Sequence, residues 1–121
     1  MLALSCFLES SVNLSPTKEL NLFSLVCAQT VDEVKLISKL DPDLIAIEPP
    51  ELIGSGRAVS KVNPNIITES VNAGNSVNSN VDILCGAGIM NSDDAIGIIE
   101  LGNINIRCLI FRINNNNIEI L

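Results

Sequence analysis

The sequence predicts an α/β fold in which about four parallel strands alternate with three helices. Apolar runs of strand length recur along the chain, and stretches with apolar residues at helical spacing lie between them. A helix that connects two strands in this way makes a right-handed crossover, which places the strands parallel. Of the 121 residues, 47% are hydrophobic, a share too high for a disordered chain, and the length suits one domain.

The first two predicted strands flank one helix. Residues 22–28 (LFSLVCA) form an apolar run of strand length. Thr30 precedes Glu33 by three residues, the spacing of a capping box, and apolar residues at helical spacing continue to about Leu40. The apolar run Leu44–Ile47 is typical of a strand that is covered on both faces.

Proline and glycine delimit the second predicted helix. Asn63 suits the N-cap, Pro64 suits the first helical position, and Gly74 is the predicted C-terminal end. Residues 75–80 form a polar connector to the third predicted strand, residues 81–85.

The third predicted helix begins where Asn91 or Ser92 can cap it, and it ends at Gly102. Residues 104–111 are rich in isoleucine and form the fourth predicted strand.

The chain is predicted to divide into three parts, which are a segment without a clear period (1–20), an α/β unit (21–111) and a low-complexity Asn/Ile tail (112–121). Four parallel strands cannot close a barrel, so residues 22–28 and 104–111 are expected to be sheet edges. The sheet face away from the helices is expected to expose apolar side chains. We therefore expect the chain to self-associate.

Charge and composition exclude several classes of function. Seven basic and 14 acidic residues give a net charge of −7, which disfavours nucleic acid and anionic membranes as partners. No apolar stretch approaches the roughly 20 residues of a membrane span. Histidine is absent and the four cysteines form no CxxC pair, so we expect no metal site and a reducing, cytoplasmic setting. We also expect no cofactor.

Three features follow predicted strands, at the edge where parallel α/β folds bind ligands. Glu48 directly follows a buried strand, and the sequence GSG occupies residues 54–56 in a loop that is predicted to reach about Val62. The sequence GAG at residues 86–88 leads from a strand toward a helix, a common setting for a bound phosphate. Taken singly, each also fits a plain alternative: a surface glutamate, a flexible loop or a tight turn.

Together these segments resemble the triosephosphate isomerase family in its archaeal form. Residues 48–56 (EPPELIGSG) are similar to the family's flexible loop, and residues 85–89 (CGAGI) are similar to its next phosphate-binding turn. Residues 59–61 (VSK) and the Asn63-Pro64 helix start add to a match over residues 20–102. The resemblance implies a partial (β/α)₈ TIM barrel, with the four strands matching the family's strands five to eight.

The resemblance also implies the roles of four residues. Glu48 matches the base that moves a proton between two carbons of the triose. Ile53 and Gly54 match positions in the mobile loop whose backbone contacts the substrate phosphate, and Gly88 matches a phosphate contact in the next loop. The implied reaction is the interconversion of glyceraldehyde 3-phosphate and dihydroxyacetone phosphate, a step of glycolysis and gluconeogenesis.

The sequence also departs from the family. The family's electrophilic histidine and its lysine lie in a first half that this sequence lacks, and Leu109, Ile110 and Phe111 stand where the family has small phosphate-binding residues. We therefore expect a truncated or frame-disrupted relative, which needs the missing N-terminal half or assembles as a homo-oligomer. One alternative is an inactive α/β fragment that acts through self-association. Another is a different phosphate-binding barrel in which Glu48 serves another reaction, although the length of the match argues against it.

Overall fold

The computed structural model describes the backbone of residues 2–4, 13–102, 106–108, 111–114 and 117–120, and the side chains of residues 13–101. Its elements in chain order are β1 (Leu2–Leu4), α1 (Ser15–Glu19), β2 (Ser24–Ala28), α2 (Val31–Ser38), β3 (Leu44–Ile47), α3 (Val59–Val62), α4 (Pro64–Val77), β4 (Asp82–Cys85), α5 (Ser92–Gly102), β5 (Ile106–Cys108), β6 (Phe111–Asn114) and β7 (Asn117–Ile120).

Five of these strands form one parallel sheet in the order β1-β2-β3-β4-β5. Every strand therefore lies beside its neighbour in sequence, and the helices that connect them pack on one face. This is the arrangement of part of a (β/α)₈ barrel. The predicted α/β class is confirmed, although the described sheet has one strand more than predicted.

The two faces of the sheet pack differently because successive side chains of a strand point to opposite sides. One face packs against the helices and holds the main core, in which Val26, Ile45 and Ile83 are almost completely buried. Leu25, Ala46 and Leu84 form a second cluster on the opposite face. Their exposed fractions are only 8%, 2% and 7%, so the prediction that this face exposes its apolar side chains is wrong at these positions.

The additional strand changes one edge of the sheet. β1 pairs in parallel with β2, with Leu2 beside Ser24 and Leu4 beside Val26. The prediction that residues 22–28 form a sheet edge is therefore wrong. A strand of three residues is too short to show a period in the sequence, and so β1 gave no signal.

The predicted strand at residues 104–111 is only partly correct. Within the described residues, β5 covers Ile106–Cys108, while Phe111 begins β6. β6 pairs antiparallel with β7, so the predicted low-complexity tail contains a two-stranded sheet. Leu109 and Ile110, where the sequence predicts a lost phosphate contact, lie outside the described residues.

The helix starts follow the local sequence signals. The Thr30 hydroxyl accepts a hydrogen bond from the Glu33 amide at 3.2 Å, and the Asn91 side chain accepts one from the Asp94 amide at 2.9 Å. Helix α4 begins at Pro64 as predicted, although the Asn63 side chain makes no capping hydrogen bond.

The predicted end of α4 at Gly74 is wrong, because the helix continues to Val77. Gly74 is buried against β4, where a Cβ atom would lie 3.1 Å from Ile83 Cδ1 and 3.4 Å from Val81 Cγ1. The glycine thus permits close packing of the helix on the sheet rather than ending the helix.

Candidate functional site

Glu48 lies at the carboxyl edge of the sheet, directly after β3. Its amide donates a hydrogen bond to the Ala28 carbonyl at 2.8 Å, and the preceding Ile47 pairs with Cys85 of β4. The glutamate is therefore held between the ends of β2 and β4. By strand alternation it falls on the same side as Ala46, away from the helices, and its side chain is half-buried.

Residues 49–57 form a loop, here called loop 49–57, that is anchored by buried Pro49 and Leu52 and by its own hydrogen bonds. Leu52 is 1% exposed, whereas the neighbouring Ile53 is 59% exposed. The Ser55 hydroxyl donates to the Leu52 carbonyl at 2.8 Å and accepts from the Arg57 amide at 3.1 Å. Gly54 has a φ of +68°, and nothing lies within 4 Å of where its Cβ would be. The residue is exposed, and a side chain at this position would meet open space.

Gly88 brings the second glycine segment against the end of loop 49–57. It has a φ of +71°, and a Cβ atom at this position would lie 1.9 Å from the Arg57 carbonyl oxygen. The adjacent Ala87 carbonyl accepts a hydrogen bond from the Val59 amide at 3.3 Å. The predicted loop after Glu48 and the second glycine segment are therefore in direct contact through Arg57 and Gly88.

The start of α5 differs from the predicted phosphate-binding geometry. Helix α5 begins at Ser92, so residues 89–91 separate it from Gly88. Its first turn carries Asp93 and Asp94, and Asp94 Oδ2 accepts a hydrogen bond from the Met90 amide at 3.1 Å. These carboxylates already occupy the positive end of the helix. The helix terminus is therefore not open to an anion as the sequence predicts.

An ion pair that the sequence analysis missed joins α3 to α5. Asp94 Oδ1 lies 2.5 Å from Lys61 Nζ, with the Asp94 side chain 4% exposed and the Lys61 side chain 66% exposed. The hydrogen bond from Lys61, helped by the Met90 amide, lowers the pKa of Asp94 below its usual 3.8. Asp94 raises the pKa of Lys61 above 10.5. The only sequence signal for Asp94 was its position three residues after a capping Asn.

We expect acid to weaken this ion pair in a predictable window. Because the pKa of Asp94 is lower in the folded state, its contribution to stability is complete only above about pH 5 and is lost as the pH falls through 3.8 and below. Asp94→Asn should therefore lower the free energy of unfolding at pH 7 and change it less at pH 3. Urea unfolding at both pH values measures this difference. Asp93→Asn removes the same charge from an exposed neighbour, and an equal pH dependence in that variant would contradict the assignment.

The part of the chain that the structure describes gives no indication of a metal site or a membrane span. Among its side chains, no group of three or more His, Cys, Asp or Glu residues is placed to hold a metal ion. None of its helices combines the length and apolar character needed to cross a bilayer.

Comparison with a family model and comparison with individual proteins identify the same family. The triosephosphate isomerase family model matches residues 3–104, and so includes two of the three residues of β1. A triosephosphate isomerase from Archaeoglobus fulgidus is 47% identical over 90 residues, which are 74% of this chain and 40% of that protein. One from Methanothermobacter thermautotrophicus is 47% identical over 89 residues, 74% of this chain and 39% of that protein.

A third relative, from Methanosarcina acetivorans, is 42% identical over 95 residues, which are 78% of this chain and 43% of that protein. The chain thus spans about two fifths of the length of the curated relatives it matches.

Proposed function

This chain belongs to the triosephosphate isomerase family, and from that premise we propose that it supplies the catalytic base and part of the phosphate site for the interconversion of glyceraldehyde 3-phosphate and dihydroxyacetone phosphate. The observation that carries the proposal is the placement of Glu48. It follows β3 between the ends of two other strands, and the adjoining loop 49–57 ends in contact with Gly88.

Glu48 acts in this proposal as a general base and then as an acid. Its carboxylate takes a proton from C1 of dihydroxyacetone phosphate and returns a proton to C2, which gives glyceraldehyde 3-phosphate. The balance also requires a proton on the C2 oxygen, which becomes a hydroxyl, and the loss of one from the C1 oxygen, which becomes the aldehyde oxygen. No histidine is available among the 121 residues for that step, so the family's electrophilic histidine must come from another polypeptide segment.

The phosphate of the substrate is assigned to the two glycine segments. Amides of Ile53 and Gly54 from loop 49–57 and of Gly88 from the next loop would hold the anion and fix the triose relative to Glu48. Pro49 and Pro50 stiffen the start of the loop, while Gly54 allows the backbone conformation that closure over the substrate needs. Closure would exclude water from the reacting carbons.

The partners in this proposal are the triose phosphate and a second protein segment. To supply the histidine, that segment must be the N-terminal half of the family's barrel, since another copy of this chain also lacks it. A homo-oligomer of this chain is the assembly expected without that half, and the setting is cytoplasmic. The competing proposal is an inactive fragment that only associates with itself. It rests on the same observation, that the 121 residues contain no histidine.

An assay of the purified chain with and without a supplied N-terminal half tests the proposal. The half can be taken from the Archaeoglobus fulgidus relative, and both directions can be followed with coupled dehydrogenases. We expect no measurable isomerisation by the chain alone and activity after mixing. Activity of the unmixed chain would refute the need for a partner, and none in a mixture shown to form a complex would favour the inactive fragment.

We expect phosphate alone to bind weakly, with a dissociation constant no tighter than about 1 mM. Only the two glycine segments offer amides in this proposal, and a third contact is expected to be missing at Leu109-Ile110-Phe111. Millimolar binding is worth roughly 4 kcal/mol, which suits a few solvent-exposed amide contacts. Calorimetric titration with inorganic phosphate measures it. A micromolar constant would show that the third contact is replaced or unnecessary.

We also expect the chain to self-associate at micromolar concentration. In the described sheet β1 and β5 each have one neighbouring strand, so their outer backbone groups can pair with another chain. The net charge of −7 opposes contact, but physiological salt screens it beyond about 8 Å. Sedimentation velocity distinguishes the outcomes, and a monodisperse monomer with cooperative unfolding would contradict this expectation.

A further inference from the structure

Helix α3 is fixed to the segment after β4 by contacts from three of its residues. The Val59 amide donates to the Ala87 carbonyl at 3.3 Å, and Val59 itself is completely buried. Ser60 packs on α5 so closely that a Cβ at Gly97 would lie 3.3 Å from the Ser60 hydroxyl. Lys61 then pairs with Asp94. Three consecutive residues shortly after loop 49–57 thus contact the second glycine segment or its helix.

Asp94 is the point at which these contacts meet. One carboxylate oxygen receives Lys61 from α3, and the other receives the Met90 amide from the loop after Gly88. The Asp94 amide is itself held by the Asn91 side chain. A single buried carboxylate therefore joins α3, the start of α5 and the loop that carries Gly88.

The contact between Gly88 and Arg57, at the end of loop 49–57, depends on this arrangement. Gly88 meets the Arg57 carbonyl with no room for a side chain, so a small movement of α3 or α5 changes the spacing of the two loops. Residues 53–57 are exposed, and within the loop the Arg57 amide is held by the Ser55 hydroxyl at 3.1 Å. Outside the loop, Arg57 is held by its contact with Gly88 and by the anchored helix α3.

We propose that Lys61 and Asp94 are positioning residues, which hold loop 49–57 and the Gly88 segment together so that both present their amides to one anion. The proposal rests on the proposed function for the identity of that anion as a substrate phosphate. The coupling of the two loops stands on the contacts alone. Neither residue is assigned a contact with substrate.

Lys61→Met tests the coupling without any need for catalysis. Its side chain is largely exposed, so we expect the variant to fold. Hydrogen exchange should rise about two- to fivefold at the amides of residues 52–59 and 86–91, the range expected for losing one partly exposed ion pair. The matched control is Lys18→Met, which breaks the ion pair with Asp41 near the opposite edge of the sheet. That control should leave the hydrogen-exchange rates of these amides unchanged.

Two further variants separate positioning from general stabilisation. Lys61→Arg keeps the charge, so hydrogen exchange at the same amides should stay as slow as in the unmodified chain. Asp94→Asn retains an oxygen for the Met90 amide but loses the charge, and it should behave like Lys61→Met. Unchanged exchange in Lys61→Met, or an equal rise in Lys18→Met, would overturn the proposal.

Titration with inorganic phosphate distinguishes failure of this proposal from failure of the proposed function. If Lys61→Met raises exchange and weakens phosphate binding by a similar factor, both are supported. If exchange rises but the unmodified chain binds no phosphate at any concentration, the loops are coupled and the assignment of the anion site is wrong. If phosphate binds equally well to both chains, positioning of the site by this pair is refuted.

Discussion

Glu48→Gln is expected to lower kcat by about 10²- to 10⁴-fold in a complex of this chain with a supplied N-terminal half. Glutamine keeps the size of the side chain and an oxygen in a similar position, but it cannot accept the proton that must leave carbon. The backbone hydrogen bond from residue 48 to Ala28 does not involve the side chain, so the strand end should persist. We therefore expect KM to change much less than kcat.

The control for this prediction is Glu51→Gln, which neutralises an exposed carboxylate three residues after Glu48, in loop 49–57. It should leave kcat within about threefold of the unchanged complex, since surface charges of this kind interact weakly. Circular dichroism checks that both variants form the same structure. A Glu48→Gln complex that retains kcat within about tenfold would show that another group is the base.

Gly88→Ala is the substitution expected to disturb the structure most. A left-handed backbone costs an ordinary residue roughly 1–2 kcal/mol. Here the added Cβ would also lie 1.9 Å from the Arg57 carbonyl oxygen, so the end of loop 49–57 would have to move. We expect the free energy of unfolding to fall by more than about 2 kcal/mol in urea titrations, with faster hydrogen exchange around Arg57.

Gly54→Ala provides the matched comparison. Its φ of +68° is nearly the same as that of Gly88, but its Cβ would meet nothing within 4 Å. It should therefore show only the conformational cost, about 1–2 kcal/mol or less. Equal destabilisation by the two alanines would mean that the contact between Gly88 and Arg57 does not constrain the fold.

The helix starts could be predicted from the sequence because their hydrogen bonds join residues close together in the chain. Thr30 and Asn91 cap helices through hydrogen bonds to amides three residues away, and such local bonds need no tertiary partner. The candidate roles of Glu48, Ile53, Gly54 and Gly88 came from a resemblance over two short motifs, and they stay predictions until activity and phosphate binding are measured.

The α/β class, the capped helix starts and the position of Glu48 after a buried strand could all be predicted from the sequence, because apolar periodicity and capping act over one or two turns of chain. The folded structure was needed to show that β1 covers the edge of β2, that Gly74 packs on a strand instead of ending a helix, and that Lys61 pairs with Asp94. Each of these depends on the spacing between elements far apart in sequence, which packing of the whole core determines and no local pattern encodes.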